Sequence, residues 1–166
     1  MSCSLRPVGR AHRARLEQLT RDTDLFRQEE VATAVELLDA SLDGDADYQF
    51  VGAFDDEQLV GYACWGPTPG TERTFDLYWI VVDREQQGQG IGTELLRDVE
   101  RRLTTHDARL VVVETSSRAD YQPTRGFYEA RGYTRVATIP AYYAPGDDLV
   151  IYTKDLANGD LAGAAP

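Results

Sequence analysis

Blocks of apolar residues along the chain predict a mixed α/β fold. Residues 77–82, LYWIVV, form a continuous apolar run that is typical of a strand buried on both faces. The run 110–113, LVVV, gives the same prediction further along the chain. Between the two runs, apolar residues recur at helical spacing and form one stripe of an amphipathic helix: Ile91, Leu95, Leu96, Val99 and Leu103. This order of elements predicts a right-handed crossover and a parallel strand pair at the centre of the sheet.

The flanking segments predict helices on both faces of a largely antiparallel sheet. We expect strands at 4–8, 48–54, 59–65, 133–139 and 149–153, and helices at 10–21, 27–42 and 124–131. Residues 66–70, GPTPG, are predicted to be a loop, because two prolines cannot donate ladder hydrogen bonds. With 166 residues, the chain is expected to form a single domain over residues 1–155, followed by a flexible Gly/Ala-rich tail at 156–166.

The charge of the chain limits its partners. The formal net charge is −11, from 28 acidic and 17 basic residues, and Lys154 is the only lysine. Such a surface repels nucleic acid and anionic lipid, so we expect neither as a partner, and it favours cationic molecules. An acidic composition with almost no lysine also resembles that of proteins adapted to high salt, which is a hypothesis about habitat.

Other sequence features give no sign of a membrane segment or a metal site. No apolar run approaches the roughly 20 residues of a membrane helix, and the first twenty residues lack a signal-like core. We therefore expect a soluble, cytoplasmic protein. Cys3 and Cys64 are too few and too far apart for a disulfide framework, and no residues have metal-ligand spacing, so no metal is expected.

Gly88, Gly90 and Gly92 lie between the run at 77–82 and the amphipathic helix. Glycines let the backbone approach a ligand closely, and a helix start offers unpaired N–H groups to an anion. The spacing G-x-G-x-G fits neither a P-loop, which needs a lysine after its last glycine, nor the dinucleotide fingerprint G-x-G-x-x-G. A glycine-rich turn without a ligand is the alternative, but the flanking strand and helix favour a site for the phosphates of a cofactor.

Two segments resemble motifs of one family. Residues 82–92, VDREQQGQGIG, resemble the acetyl-CoA signature Val-x-Pro-x-x-(Arg/Gln)-Gly-x-Gly-x-(Gly/Ala) of the GNAT superfamily of N-acetyltransferases. Residues 126–133, GFYEARGY, are similar to its motif Phe-Tyr-Glu-x-x-Gly-(Phe/Tyr). The resemblance spans residues 4–155. It departs at Arg84, where the family usually has proline and only loop stiffness should change, and at residues 116–124, which affects details of the acceptor site.

The resemblance implies a fold in which two neighbouring strands splay and acetyl-CoA, the co-substrate, lies between them. It implies that the backbone of Val82 contacts the pantetheine arm. The residues implied around the pyrophosphate are Gln87, Gly88, Gln89, Gly90, Gly92 and Thr93. Dimers are common in the family, and the sequence leaves a homodimer open.

Acetyl transfer from a thioester to an amine needs a base and a weak proton donor. An amine with a pKa near 10.4 is unprotonated in only about one molecule in a thousand at pH 7. Glu114, at the end of the apolar run 110–113, matches a glutamate that N-terminal acetyltransferases of ribosomal proteins use through a water. The alternative is a solvent-exposed carboxylate, and Asp76 and Tyr78 are runners-up as the base. Tyr128 matches the family tyrosine that faces the cofactor sulfur and would donate a hydrogen bond to the departing thiolate.

The acceptor amine is left open by the sequence. Polyamines, amino acids, aminoglycoside-like antibiotics and protein N-termini are all compatible with it. Aromatic residues that could line an acceptor cleft are Trp65, Trp79, Tyr121, Tyr142 and Tyr143, although packing is favoured for Trp79. The expected function is direct transfer of an acetyl group from acetyl-CoA to a primary amine of a small molecule or peptide. The alternative is a non-catalytic sensor module that binds CoA or acyl-CoA.

Overall fold

The computed structural model describes residues 3–157 of the chain. Its elements are β1 Ser4–Arg6, α1 Arg13–Asp22, α2 Gln28–Leu42, β2 Gln49–Asp55, β3 Gln58–Pro67, β4 Thr74–Val82, α3 Ile91–Thr105, β5 Leu110–Ser116, α4 Gln122–Glu129, β6 Thr134–Ala144 and β7 Asp147–Asp155. Most of the predicted tail, from residue 158 onward, lies outside the described residues. No helix within residues 3–157 is long and apolar enough to cross a membrane.

Seven strands form one sheet with the order β1-β2-β3-β4-β5-β7-β6. Antiparallel ladders join β1 to β2, β2 to β3, β5 to β7 and β6 to β7. The strands β4 and β5 are parallel, and Asp76 pairs with Val112 at the last of three residue pairs in their ladder. The structure thus confirms the predicted α/β fold, a mostly antiparallel sheet with a parallel pair at its centre.

As far as the described residues go, the chain forms two compact units. The first unit consists of the chain up to Pro67 together with Tyr78–Arg102, and the second consists of Thr68–Leu77 together with the chain from Leu103 onward. The prediction of one domain over residues 1–155 stays a prediction.

Helices lie on both faces of the sheet in the first unit, as predicted. On one face of β3, the hydroxyl groups of Tyr62 and Thr20 on α1 are 2.6 Å apart and fully buried. The next residue, Gly61, faces α3, where a Cβ atom would lie 3.4 Å from the side chains of both Ile91 and Leu95. Because side chains alternate along a strand, adjacent residues of β3 contact different helices.

The predicted amphipathic stripe of α3 is confirmed. Every residue of the stripe is at most 5% exposed: Ile91, Leu95, Leu96, Val99 and Leu103. Asp98 is also buried on this helix, and its carboxylate accepts hydrogen bonds from Arg101 and Arg102. These two arginines lie on the same helix and compensate the buried negative charge.

The sheet of the second unit has one face that packs against a helix, which we call the covered face. It carries Val113 and Tyr152, and the Tyr152 hydroxyl donates a 2.7 Å hydrogen bond to Glu129 on α4. The opposite face, which we call the open face, carries accessible residues from four strands, namely Asp76, Val112, Glu114, Ile151 and Ala137.

This one-sided packing corrects the prediction that the two central strands are buried on both faces. In β5, Val111 and Val113 are buried, Val112 is half-buried and Glu114 is exposed. In β4, only Thr74, Leu77 and Val81 are buried, and the remaining residues are half-buried. An apolar sequence permits burial on both faces, but β5 has α4 on its covered face only.

The prediction of a loop at 66–70 is wrong for its first two residues, because β3 continues to Pro67. Gly66 is buried, and a Cβ atom at this position would lie 1.8 Å from the carbonyl oxygen of Asp47. Only glycine permits such a close approach of two backbone segments. Pro67 then ends the strand, as expected for a residue without an amide hydrogen.

Candidate functional site

The segment after β4 is anchored by Asp83 in the first unit. The Asp83 amide donates a 2.7 Å hydrogen bond to the carbonyl of Val60, and its carboxylate pairs with Arg15. The same carboxylate accepts the amide of Glu85 and begins a short 3-10 helix, Arg84–Gln86. Arg84 forms an exposed ion pair with Asp24 at 2.9 Å, so it does more than alter loop stiffness.

The glycine loop has a backbone conformation that favours glycine at two of its positions. Gly88 and Gly90 have φ angles of +80° and +88°, in the region that favours glycine. A Cβ atom on either residue would meet nothing within 4 Å, so this side of the loop is open. The side chain of Gln87 donates a 3.3 Å hydrogen bond to the carbonyl of Val82 and so closes the loop.

The start of α3 leaves backbone donors available next to this loop. The first helical hydrogen bond runs from the Glu94 amide to the carbonyl of Gly90, at 3.0 Å. The amides of Ile91 and Gly92 precede this bond and have no acceptor within the helix. Together with the positive end of the helix dipole, they form a site that can hold an anion such as a diphosphate. The predicted cofactor residues, from Val82 to Thr93, all lie on this one continuous segment of the first unit.

The predicted base, Glu114, lies on the open face of the second unit. Asp76 is opposite Val112 in the parallel ladder, so Glu114 is the next residue of β5 on the same face as Asp76. Glu114 is exposed as a whole residue, yet nearby protein atoms remove part of the water around its carboxyl group. This desolvation, and secondly the negative charge of Asp76, raise the pKa of Glu114.

The predicted proton donor, Tyr128, is 4% exposed on α4. Its ring lies edge-to-face against Phe127 and Tyr133, with centroid distances of 5.2 and 5.3 Å. Burial raises the pKa of Tyr128, so its hydroxyl stays protonated at neutral pH. Among residues 3–157 no acceptor lies within hydrogen-bond distance of this hydroxyl, which is therefore available to a ligand.

Glu114 and Tyr128 belong to the same unit but to different sides of its sheet. Glu114 is on the open face, whereas α4 packs on the covered face through the hydrogen bond between Glu129 and Tyr152.

The aromatic residues predicted at an acceptor cleft have different environments. In the first unit, Trp65 is 5% exposed, and Trp79 packs against Phe26, which fits the packing interpretation of Trp79. In the second unit, Tyr121 is half-buried in a short 3-10 helix, whereas Tyr142 on β6 is 54% exposed.

Some polar contacts around the candidate base have no signal in the sequence. The Thr68 hydroxyl donates a 2.8 Å hydrogen bond to the Asp76 carboxylate across a turn. Beyond Glu114, the Ser116 hydroxyl donates to the buried carboxylate of Asp147. Arg125 on α4 donates to the Ser116 carbonyl at 2.6 Å, which fixes the segment that follows β5.

A family model and a related protein both match this sequence, and both are acetyltransferases. The sequence matches the acetyltransferase (GNAT) family over residues 14–133. It is 36% identical over 115 residues to the N-alpha-acetyltransferase RimI of Mycobacterium tuberculosis, an alignment that covers 67% of each chain.

Two solved structures extend this comparison to the fold. A GNAT-family protein from Desulfovibrio desulfuricans has a TM-score of 0.88 and 38% identity, over 93% of this chain and 99% of that chain. The PaiA N-acetyltransferase of Thermoplasma acidophilum, solved in complex with coenzyme A, has a TM-score of 0.73 and 17% identity, over 93% and 99% of the two chains.

Replacing Gly90 by alanine is expected to weaken the binding of coenzyme A. A residue with a Cβ atom at this positive φ costs about 1–2 kcal/mol, and relaxation of the loop would turn its amides away from the diphosphate. Since about 1.4 kcal/mol corresponds to a factor of ten, we expect a roughly tenfold higher Kd or more by titration calorimetry.

Gly44→Ala provides the matched control for this experiment. Gly44 follows α2, has a φ of +101° and is equally open, so the same substitution imposes a similar backbone cost far along the chain from the loop. The Gly44→Ala variant should bind coenzyme A with the affinity of the wild-type protein. Equal affinities for the wild type and Gly90→Ala would contradict the assignment of the loop.

Proposed function

This chain belongs to the GNAT acetyltransferase family, and from that membership we propose that it transfers the acetyl group of acetyl-CoA directly to a primary amine of a small molecule or peptide. The family assignment makes the chain an acyltransferase, and a related fold has been crystallised with coenzyme A. The observation that carries the proposal is Glu114, an accessible carboxylate with a raised pKa beside Asp76.

In the proposed complex, backbone groups of the glycine loop bind the diphosphate of coenzyme A. The positive φ angles of Gly88 and Gly90 and the amides at the start of α3 support this assignment. We assign Gln87, Gln89, Gly92 and Thr93 to the same contact, and the backbone of Val82 to the pantetheine arm. The negative net charge of −11 disfavours anions elsewhere on the chain, which makes a local cluster of donors necessary.

In the proposed reaction, Glu114 takes a proton from the acceptor ammonium, directly or through a water. The freed nitrogen attacks the thioester carbonyl carbon, which gives a tetrahedral intermediate with a positively charged nitrogen. This nitrogen releases its second proton to solvent, and the intermediate collapses to the amide with cleavage of the C–S bond. The departing thiolate accepts a hydrogen bond from Tyr128. Because burial raises the pKa of Tyr128 further above that of a thiol, near 8.5, the phenol stabilises the thiolate without giving up its proton. Coenzyme A then takes its proton from solvent.

Among acceptors, we propose the α-amino group of a peptide as the first to be tested. The similarity to a protein named as an N-alpha-acetyltransferase supports this choice, and the net charge of −11 favours a cationic amine in general. Small amines such as spermidine remain the second choice.

A thiol-release assay tests the proposed function. Each reaction contains the wild-type protein, acetyl-CoA and one candidate acceptor. The acceptors are an alanine-initiated hexapeptide, the same peptide blocked at its N-terminus, spermidine and an aminoglycoside. We expect free thiol with the unblocked peptide and none with the blocked one. If coenzyme A binds but no amine elicits thiol release, the chain is a non-catalytic CoA-binding module instead.

Glu114→Gln should lower kcat by about 100-fold or more, since general base catalysis typically contributes that much. The base acts only when deprotonated, so its raised pKa moves the acidic limb of the kcat profile above the usual glutamate value of about 4.3. That limb should disappear in Glu114→Gln, whereas the Kd for acetyl-CoA should not change. Glu72→Gln, at an exposed acid of the same unit, is the control. An unchanged pH profile in Glu114→Gln would assign the base elsewhere.

Tyr128→Phe should lower kcat by about 10- to 100-fold, which is the typical effect of losing one hydrogen bond to a charged group. The affinity for acetyl-CoA should stay within twofold by calorimetry. Tyr133→Phe is the matched control, because Tyr133 is also 4% exposed and packs against Tyr128. Equal kcat values for the two variants would rule out a specific role for the Tyr128 hydroxyl.

A further inference from the structure

We propose that Asp76 holds the ammonium group of the acceptor beside Glu114, so that one carboxylate binds the amine and the other removes its proton. This inference rests on the proposed function, since it concerns the acceptor of the same reaction. It makes Asp76 a residue that determines which amines bind, distinct from the base.

The geometry of the parallel ladder brings the two carboxylates to one place. Asp76 pairs with Val112, and Glu114 is the next residue of β5 on the open face. Neighbouring strands are about 4.8 Å apart and two residues span about 6.6 Å, so the two Cα atoms are separated by about 8 Å. Side chains at this separation can contact a single ammonium group together.

Asp76 is held in position from the neighbouring turn. The Thr68 hydroxyl donates a 2.8 Å hydrogen bond to Oδ2 of Asp76, and the Thr68 amide donates to the carbonyl of Thr74 at 2.9 Å. Thr71 donates its hydroxyl to the carbonyl of Thr68 at 2.7 Å, which closes the turn. Within the described part of the chain, Thr68 is the only hydrogen-bond donor to the Asp76 carboxylate, so Oδ1 is available to a ligand.

The open face carries few other titratable groups. Beside Glu114, β7 contributes Ile151 and β6 contributes Ala137, both uncharged. On the same face of β7, Asp147 and Asp155 each lie four residues from Ile151, about 13 Å along the strand.

Both of these distant carboxylates already have partners. Asp147 accepts the Ser116 hydroxyl, and Asp155 accepts the Ala157 amide. Asp76 is therefore the charged group nearest to Glu114 on this face.

No basic side chain pairs with Asp76 or Glu114 anywhere in residues 3–157. Two neighbouring carboxylates of like charge repel each other, and a cation between them relieves this repulsion. An acceptor ammonium supplies that cation. Its binding also favours the deprotonated form of Glu114, which prepares this carboxylate to take the proton.

The test measures acceptor binding without turnover. The alanine-initiated hexapeptide is titrated by calorimetry into the full-length protein saturated with coenzyme A. We expect Asp76→Asn to raise the Kd of the peptide by about 10- to 100-fold, the usual effect of losing a charged hydrogen bond. Asp76→Glu should recover most of the affinity, and Thr68→Val should lose part of it. The control Glu72→Gln removes the same charge four residues away and should bind the peptide like the wild type.

A second readout separates an electrostatic role from a structural one. Carboxyl NMR titration of the cofactor-free protein should give a lower pKa for Glu114 in Asp76→Asn than in the wild type or in Glu72→Gln. An unchanged peptide Kd, or an unchanged pKa of Glu114, would overturn the role of Asp76. So would failure of the wild-type protein to bind the peptide.

The two proposals fail in different ways. Peptide binding that depends on Asp76, without any thiol release, would refute acetyl transfer but keep the role of Asp76. Thiol release together with peptide binding that does not depend on Asp76 would support acetyl transfer but refute the role of Asp76.

Discussion

A helix cannot satisfy the amides of its own first turn, and the first unit is organised around that constraint. The part of α3 in this unit buries four apolar side chains, those of Ile91, Leu95, Leu96 and Val99. Arg101 and Arg102 on the same helix compensate the buried charge of Asp98. The amides at its start are then presented beside a loop whose glycines leave the approach open. An anion can be bound here by backbone groups alone, in a chain that has one lysine and a net charge of −11.

In the second unit, the buried core and the two neighbouring carboxylates lie on opposite faces of one sheet. Val113 and Tyr152 are buried on the covered face, while Asp76 and Glu114 lie on the open face. The carboxylates thus keep part of their hydration, and the pKa of Glu114 rises without the large cost of full burial. Tyr128 has the opposite environment, since burial on α4 keeps its hydroxyl protonated.

The sequence predicted those features that depend on local pattern. The buried stripe on α3 follows from the helical spacing of its apolar residues. The burial of β5 could not be predicted in this way, because an apolar run does not tell whether one face or both faces meet a helix. The contact between Thr68 and Asp76 was hidden for a similar reason, since it depends on how a turn brings two strands together. Local patterns were therefore predictable from the sequence, whereas the surroundings of individual side chains were not.

Side chains alternate between the two faces along β5, so the register of this strand decides which face carries Glu114. Val113 and Glu114 are neighbours in the chain but lie on opposite faces, with Val113 opposite Tyr152 and Glu114 opposite Ile151. Inserting or deleting one residue upstream in this strand would carry the carboxylate beneath α4 and turn an aliphatic side chain toward water. An exchange of the half-buried Val112 for another aliphatic residue should therefore be tolerated during evolution. A change in the length of β5 would lower the folding stability and displace the residue that we propose as the base in the same step.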